Sequence, residues 1–84
     1  MTQPESLPLT HLQAGQWGSI LRLDMEEPLR GRLADLGFLP GSSVRFLFAA
    51  PSGNPRAYWI QGTIIALRNQ DGQSVIVHPL YPNK

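Results

Sequence analysis

Along this chain apolar residues recur at helical spacing in one short stretch and at strand spacing in several others. Leu29, Leu33 and Leu36 follow one another at intervals of four and three, which puts them on one face of a short helix. Pro28 suits its first turn, where no backbone donor is needed. Gly37 can take the left-handed conformation that stops a helix, leaving Phe38 to fold back on Leu33. Leu39-Pro40-Gly41-Ser42 then has proline second and glycine third, the arrangement a type II turn requires. A helix of about nine residues is too short to persist alone, and Gly31 inside it costs roughly 0.5 to 1 kcal/mol against alanine. Its leucine face must therefore dock on another surface.

Strand patterns supply that surface. In Trp17 to Leu23, Trp17, Ser19, Leu21 and Leu23 share one face and Gly18, Ile20 and Arg22 the other. In Ser43 to Ala50, Val44, Phe46 and Phe48 alternate with Arg45, Leu47 and Ala49, so the aromatic face is the expected core side. Ala57 to Gln61 and Thr63 to Arg68 are separated by Gly62, which marks a tight hairpin or a bend in one long strand. Asp71-Gly72 predicts a hairpin turn before the closing strand, Ser74 to His78. Pro51 to Pro55 reads as a loop, and Thr10 can start a single helical turn in the lead-in.

These elements predict an all-β domain with one short helix inserted between the first and second of about five strands. So few short strands cannot pair every edge while flat, and partial closure into a small barrel is the expected solution. The helix then caps one end, burying Leu29, Leu33, Leu36 and Phe38 against Val44 and Phe46. Residues 1–8 read as a flexible arm, 9–78 as the domain and 79–84, with two prolines, as a tail leaving the sheet.

Composition narrows the function classes. Eighty-four residues with 42% apolar content make one small folded domain. The absence of cysteine removes disulfides, thiolate metal sites and cysteine nucleophiles. No signal-like start or transmembrane-length apolar run occurs, so a soluble cytoplasmic protein is expected. The net charge is +1, and arginines 22, 30, 32, 45, 56 and 68 are interleaved with acids, which argues against a phosphate-binding face.

Catalytic patterns are missing. No phosphate-binding glycine loop or paired zinc-binding histidines on a helix occur. Glu26 and Glu27 are adjacent and do not form an acid/base pair at a set separation. The carboxylates of Asp24, Glu26 and Glu27 read as helix-start acids. His11 and His78 approach each other only if the first and last strands pair, with Glu5 completing at best a weak metal site, so no metal or other cofactor is expected. Trp17, Phe38, Tyr58 and Trp59 are more large rings than so small a core needs. Tyr58 and Trp59, being adjacent in a strand, face opposite ways. One of them beside Arg56 suits a protein-recognition surface, unless both are core or rim residues.

Taken in order, Leu12 and Gly15, Arg32-Leu33-Ala34-Asp35-Leu36-Gly37-Phe38-Leu39-Pro40-Gly41, Ala50-Pro51-Ser52-Gly53-Asn54-Pro55, Ile65-Ala66-Leu67-Arg68 and Val75-Ile76-Val77 resemble the FeoA family of bacterial ferrous iron uptake. One departure is Gly72, where the family often has alanine. The resemblance implies an SH3-like barrel, no enzymatic activity, and a partner, the FeoB membrane iron transporter with its cytosolic G-protein domain. Its signature falls here on Leu33, Leu36, Gly37, Pro40, Gly41, Pro51, Gly53, Pro55, Ala66 and Leu67 as fold makers, and on Arg32 and Arg68, which packing explains less well. The expected partner-binding residues are Arg30, Arg32, Asp35, Arg56, Arg68 and Tyr58. A weak homo-oligomer is left open. The alternative is an SH3-like module binding a metal ion, small ligand or nucleic acid in iron-dependent regulation, although no helix-turn-helix precedes the domain.

Overall fold

A computed structural model describes residues 5–80. Its elements are β1 (Leu7–Pro8), a 3-10 turn (Leu9–His11), β2 (Trp17–Leu23), α1 (Leu29–Asp35), β3 (Ser43–Ala49), β4 (Arg56–Ile60), β5 (Thr63–Leu67), α2 (Asn69–Gly72) and β6 (Val75–Leu80). All pairings are antiparallel and the order across the sheet is β1-β6-β2-β3-β4-β5.

The expected barrel does not form. Among the described residues no ladder joins β1 to β5, and the six strands make one open sheet rather than a closed barrel of five. The edge strand β1 is two residues long and one of them is Pro8, which has no N–H to donate. At the far end the chain leaves β5 for α2. The 3-10 turn and α2 pack together instead, the Thr10 side chain lying over Gly72, where an added Cβ would be 3.2 Å from Thr10 Cγ2.

That contact also accounts for the missing hairpin at Asp71-Gly72. Gly72 is not among the positive-φ residues, as the favoured two-residue hairpin would demand. It is buried, and smallness is what the position uses. The 3-10 turn begins at Leu9, one residue before Thr10, without a side-chain cap.

At Gly62 the tight hairpin forms: Ile60 pairs with Thr63, and Gln61 and Gly62 take φ values of 49° and 78°. The ordered sheet extends beyond residues 9–78 on both sides, since Leu7 and Pro8 pair with Val77 and Ile76, and Pro79 and Leu80 with Gly18 and Trp17. The remainder of the expected arm and tail, 1–4 and 81–84, lies outside the described residues.

A single core draws on almost every element: Leu9 and Leu12, Ile20, Leu33 and Phe38, Val44 and Phe46, Tyr58 and Ile60, Leu67, and Val75 and Val77. Helix α1 ends as its sequence requires. Phe38 N–H donates to Leu33 O at 3.0 Å and Gly37 N–H to Ala34 O at 3.0 Å, with Gly37 at φ +111°, the two bonds of a Schellman stop. Ser42 N–H donates to Leu39 O at 2.9 Å across the turn that holds Gly41 at φ +91°. Full burial of Leu33 and Phe38 stabilises by about 1.5 to 3 kcal/mol each, more than the Gly31 cost. Leu29 is only partly buried, and Leu36, expected inside, is exposed because it caps the helix where the chain turns away.

Candidate protein-binding surface

Helix α1 presents Arg30, Arg32 and Asp35 to solvent. Arg30 is held by Glu27, with Nε 3.5 Å from Oε2, and Glu27 Oε1 accepts the Gly31 N–H at 2.9 Å. Glu27 thus satisfies a donor of the helix's first turn, the structural role expected of the acids before it. Asp24 is bound to Arg22, whose Nε lies 3.0 Å from each carboxylate oxygen. Neither Arg32 nor Asp35 has an ion-pair partner among the described residues. Between α1 and β2 runs a groove of about 400 Å³ lined by Arg22, Glu27, Arg30, Ala34, Leu39 and Pro40. Leu36 and Leu39 stand exposed at 38% and 46% near its helix end. Exposed leucines beside charges left unpaired among the described residues make a surface suited to a protein.

The other expected contact residues are elsewhere. Arg56 is partly buried: its Nη1 donates to Leu12 O at 3.2 Å and its guanidinium lies 4.3 Å from the centre of the Phe46 ring. Tyr58 is 1% exposed and has no surface to offer a partner. Burial pushes its hydroxyl up to about 12, against the opposing positive charge of Arg56. Arg68 is exposed and loosely paired with Asp71, 3.9 Å from Nε to Oδ2. The 50s loop is tied down by Gly53 N–H to Ala50 O at 2.7 Å and by Asn69, whose Nδ2 donates to Gly53 O at 2.9 Å. Pro51, Gly53 and Pro55 lie in this loop, beside α2 and away from any shared site with α1.

A wider cleft of about 770 Å³ opens beside the 3-10 turn, lined by Glu5, His11, Gln13, Trp17, Arg45 and Leu80. His78 does not meet His11 in a ligand set; its Nδ1 is 2.8 Å from the Glu5 carbonyl oxygen. Among the described residues no group of three His, Cys, Asp or Glu could hold a metal ion, and no helix is long and apolar enough to cross a membrane. Phe48, expected on the core side with Val44 and Phe46, is exposed instead, because the register shifts between Phe46 and Phe48 and turns it outward. Sequence reasoning passed over Arg45 and Ile64 as surface features. The signal was present in the surplus of rings, since Trp59 does face away from the core while its neighbour Tyr58 faces in.

Comparison with known proteins bears on what this surface serves. The family model of the FeoA domain matches residues 7–79. The solution structure of FeoA from Chlorobium tepidum is 28% identical, with a TM-score of 0.85 over 93% of this chain and 74% of that one. The zinc complex of Stenotrophomonas maltophilia FeoA, a procaryotic SH3 domain protein, is 27% identical, with a TM-score of 0.75 over 84% of this chain and 88% of that one. A manganese-dependent transcriptional repressor shares the fold at 20% identity, with a TM-score of 0.81 over 95% of this chain and 45% of its own. No curated protein matches in sequence.

Proposed function

Because the chain belongs to the FeoA family of iron transport proteins, as the match over residues 7–79 establishes, we propose that it acts by binding the cytosolic side of an FeoB-type transporter. The family is non-catalytic, and the role is that of an accessory protein of iron transport. The observation that carries the contact surface is the proximity of two charges without an ion-pair partner among the described residues, Arg32 and Asp35, to exposed Leu36 and Leu39 at one end of α1. Arg30 and the groove beside it extend that surface. Arg68 contributes at most from a separate face, beside α2.

Titration of the purified cytosolic domain of the transporter with this protein tests the reading. Binding is expected, and Arg32→Glu is expected to weaken it at least tenfold while leaving the circular dichroism spectrum unchanged. A folded Arg32→Glu protein that binds equally well and restores ferrous iron uptake to a deletion strain removes α1 from the contact. The zinc in the S. maltophilia relative favours a second reading, metal binding. Anaerobic calorimetric titration with Fe²⁺ checks it, and an absence of heat disposes of it.

A further inference from the structure

The face of the sheet turned away from the core carries a second set of large apolar side chains. Leu80, Trp17, Arg45, Trp59 and Ile64 are successive partners across β6, β2, β3, β4 and β5. Directly paired residues point to the same side of a sheet. Arg45 lies between buried Val44 and Phe46, and Trp59 between buried Tyr58 and Ile60, so the row faces solvent. Phe48, Ala57 and Ala66 pair in a second row beside it, in which Ala57 is itself buried. At 61% and 59%, Phe48 and Ile64 are the most exposed large apolar side chains among the described residues.

These two rows contain a single charge, that of Arg45. Its Nε donates to Gly15 O at 2.9 Å and its guanidinium lies 5.5 Å from the Trp17 ring centre. Trp17 in turn meets Trp59 edge-on, with centroids 5.4 Å apart. The cation is thus held in place by its surroundings, and it has no ion-pair partner among the described residues.

We propose that this outer face is a second docking surface, for a segment of the transporter's cytosolic domain that presents apolar side chains around a carboxylate. The proposal rests on the transporter reading above. Charge selects this occupant. In a second copy packed face to face, neither row brings an acid to meet Arg45. A lipid surface is drawn by clusters of basic residues, whereas this face has one cation. A carboxylate set among apolar groups pairs with a guanidinium already oriented on Trp17, so little further ordering is needed, while the apolar groups cover Phe48, Trp59 and Ile64. Tryptophan and arginine are the residue types that most often dominate such interfaces.

The test uses the full chain and the purified cytosolic domain of the transporter. A photo-crosslinking phenylalanine analogue is placed at Phe48, at Ile64 and, as a control, at Gln70 on α2. Affinity is measured in parallel for Arg45→Glu and for the double variant Phe48→Ser, Ile64→Thr, which alters only exposed side chains. Crosslinks from positions 48 and 64 to an Asp- or Glu-containing segment of the transporter domain, with at least tenfold weaker binding by Arg45→Glu and by the double variant, are expected. Unchanged affinity in both variants, with no crosslinks at 48 and 64 but sensitivity to Arg32→Glu, overturns this inference and leaves the transporter reading standing. No binding by the unaltered protein overturns both. Crosslinks between two copies, or co-sedimentation with phosphatidylglycerol vesicles that the double variant abolishes, also overturn the inference.

Discussion

Arg56 reaches from β4 to the carbonyl of Leu12, 44 residues earlier, and lays its guanidinium on Phe46 on the way. The side chain expected to meet a partner is a clamp that holds the lead-in segment onto the sheet. Arg56→Ala leaves the Leu12 carbonyl without its charged donor and uncovers the Phe46 ring, so a loss of about 1.5 to 3 kcal/mol is expected. Urea unfolding measures it. A change below about 0.5 kcal/mol would mean that the clamp contributes nothing.

Gly37 combines two demands that alanine cannot meet. Its φ is +111°, and a Cβ there would lie 2.5 Å from Gln61 Cγ. Gly37→Ala is expected to cost about 1 to 3 kcal/mol. Adding Gln61→Ala should relieve the 2.5 Å contact but not the 3.1 Å one to Gln61 Cβ, restoring part of the loss and leaving the backbone part, whereas Gly41→Ala, with open space around it at φ +91°, should show backbone strain alone. Equal losses for Gly37→Ala with and without Gln61→Ala remove the steric contribution.

The buried Tyr58 hydroxyl gives the fold an alkaline limit. Its folded value, about 12, lies above the ordinary tyrosine value near 10. Below that ordinary value both states keep the proton and the stability is fully present; as pH rises through the window to about 12 the unfolded chain ionises first. The stability lost over this window is up to roughly 2 to 3 kcal/mol. Among the described residues the hydroxyl makes no hydrogen bond of good geometry, and the nearby Arg56 only partly offsets its burial, so Tyr58→Phe removes a desolvated polar group. The variant is expected to be at least as stable at neutral pH and to lose less between pH 10 and 12, as chemical denaturation at each pH will show.

Gly31 sits where alanine would favour the helix, yet a Cβ there would come 2.7 Å from Glu27 Oε1. The obstacle is the mobile end of a side chain whose removal forfeits the bond to the Gly31 N–H. Gly31→Ala alone is therefore expected to be within about 0.5 kcal/mol of neutral, the propensity gain being offset. In a Glu27→Ala background the same change should stabilise by about 0.5 to 1 kcal/mol. Identical effects in the two backgrounds would show that the two residues are uncoupled.

Local chemistry was legible where one residue type has one conformational use. The Leu33-to-Phe38 stop and the Pro40-Gly41 turn both follow from sequence. Gly72 misled because glycine has two uses, and here it supplies lack of bulk against Thr10 rather than a positive φ. Closure misled because whether the two ends of a sheet bond depends on the strand at the edge. A two-residue β1 containing Pro8 carries no pattern to read. The α1 surface was legible as charges left over from packing. The placement of Arg56 and Tyr58 was not, since long-range partners such as Leu12 leave no trace in local spacing.

Strand β6 lies between β1 and β2 although it is last in the order of synthesis. A nascent chain can pair β2, β3, β4 and β5 as they emerge, each with its predecessor. The segment made first, by contrast, has nowhere to settle until β6 arrives to separate it from β2. Leu7, Pro8 and the Trp17 edge of the sheet therefore stay unpaired until β6 itself is free to fold, and a chain cut before Val75 is left with an incomplete sheet rather than a smaller stable domain.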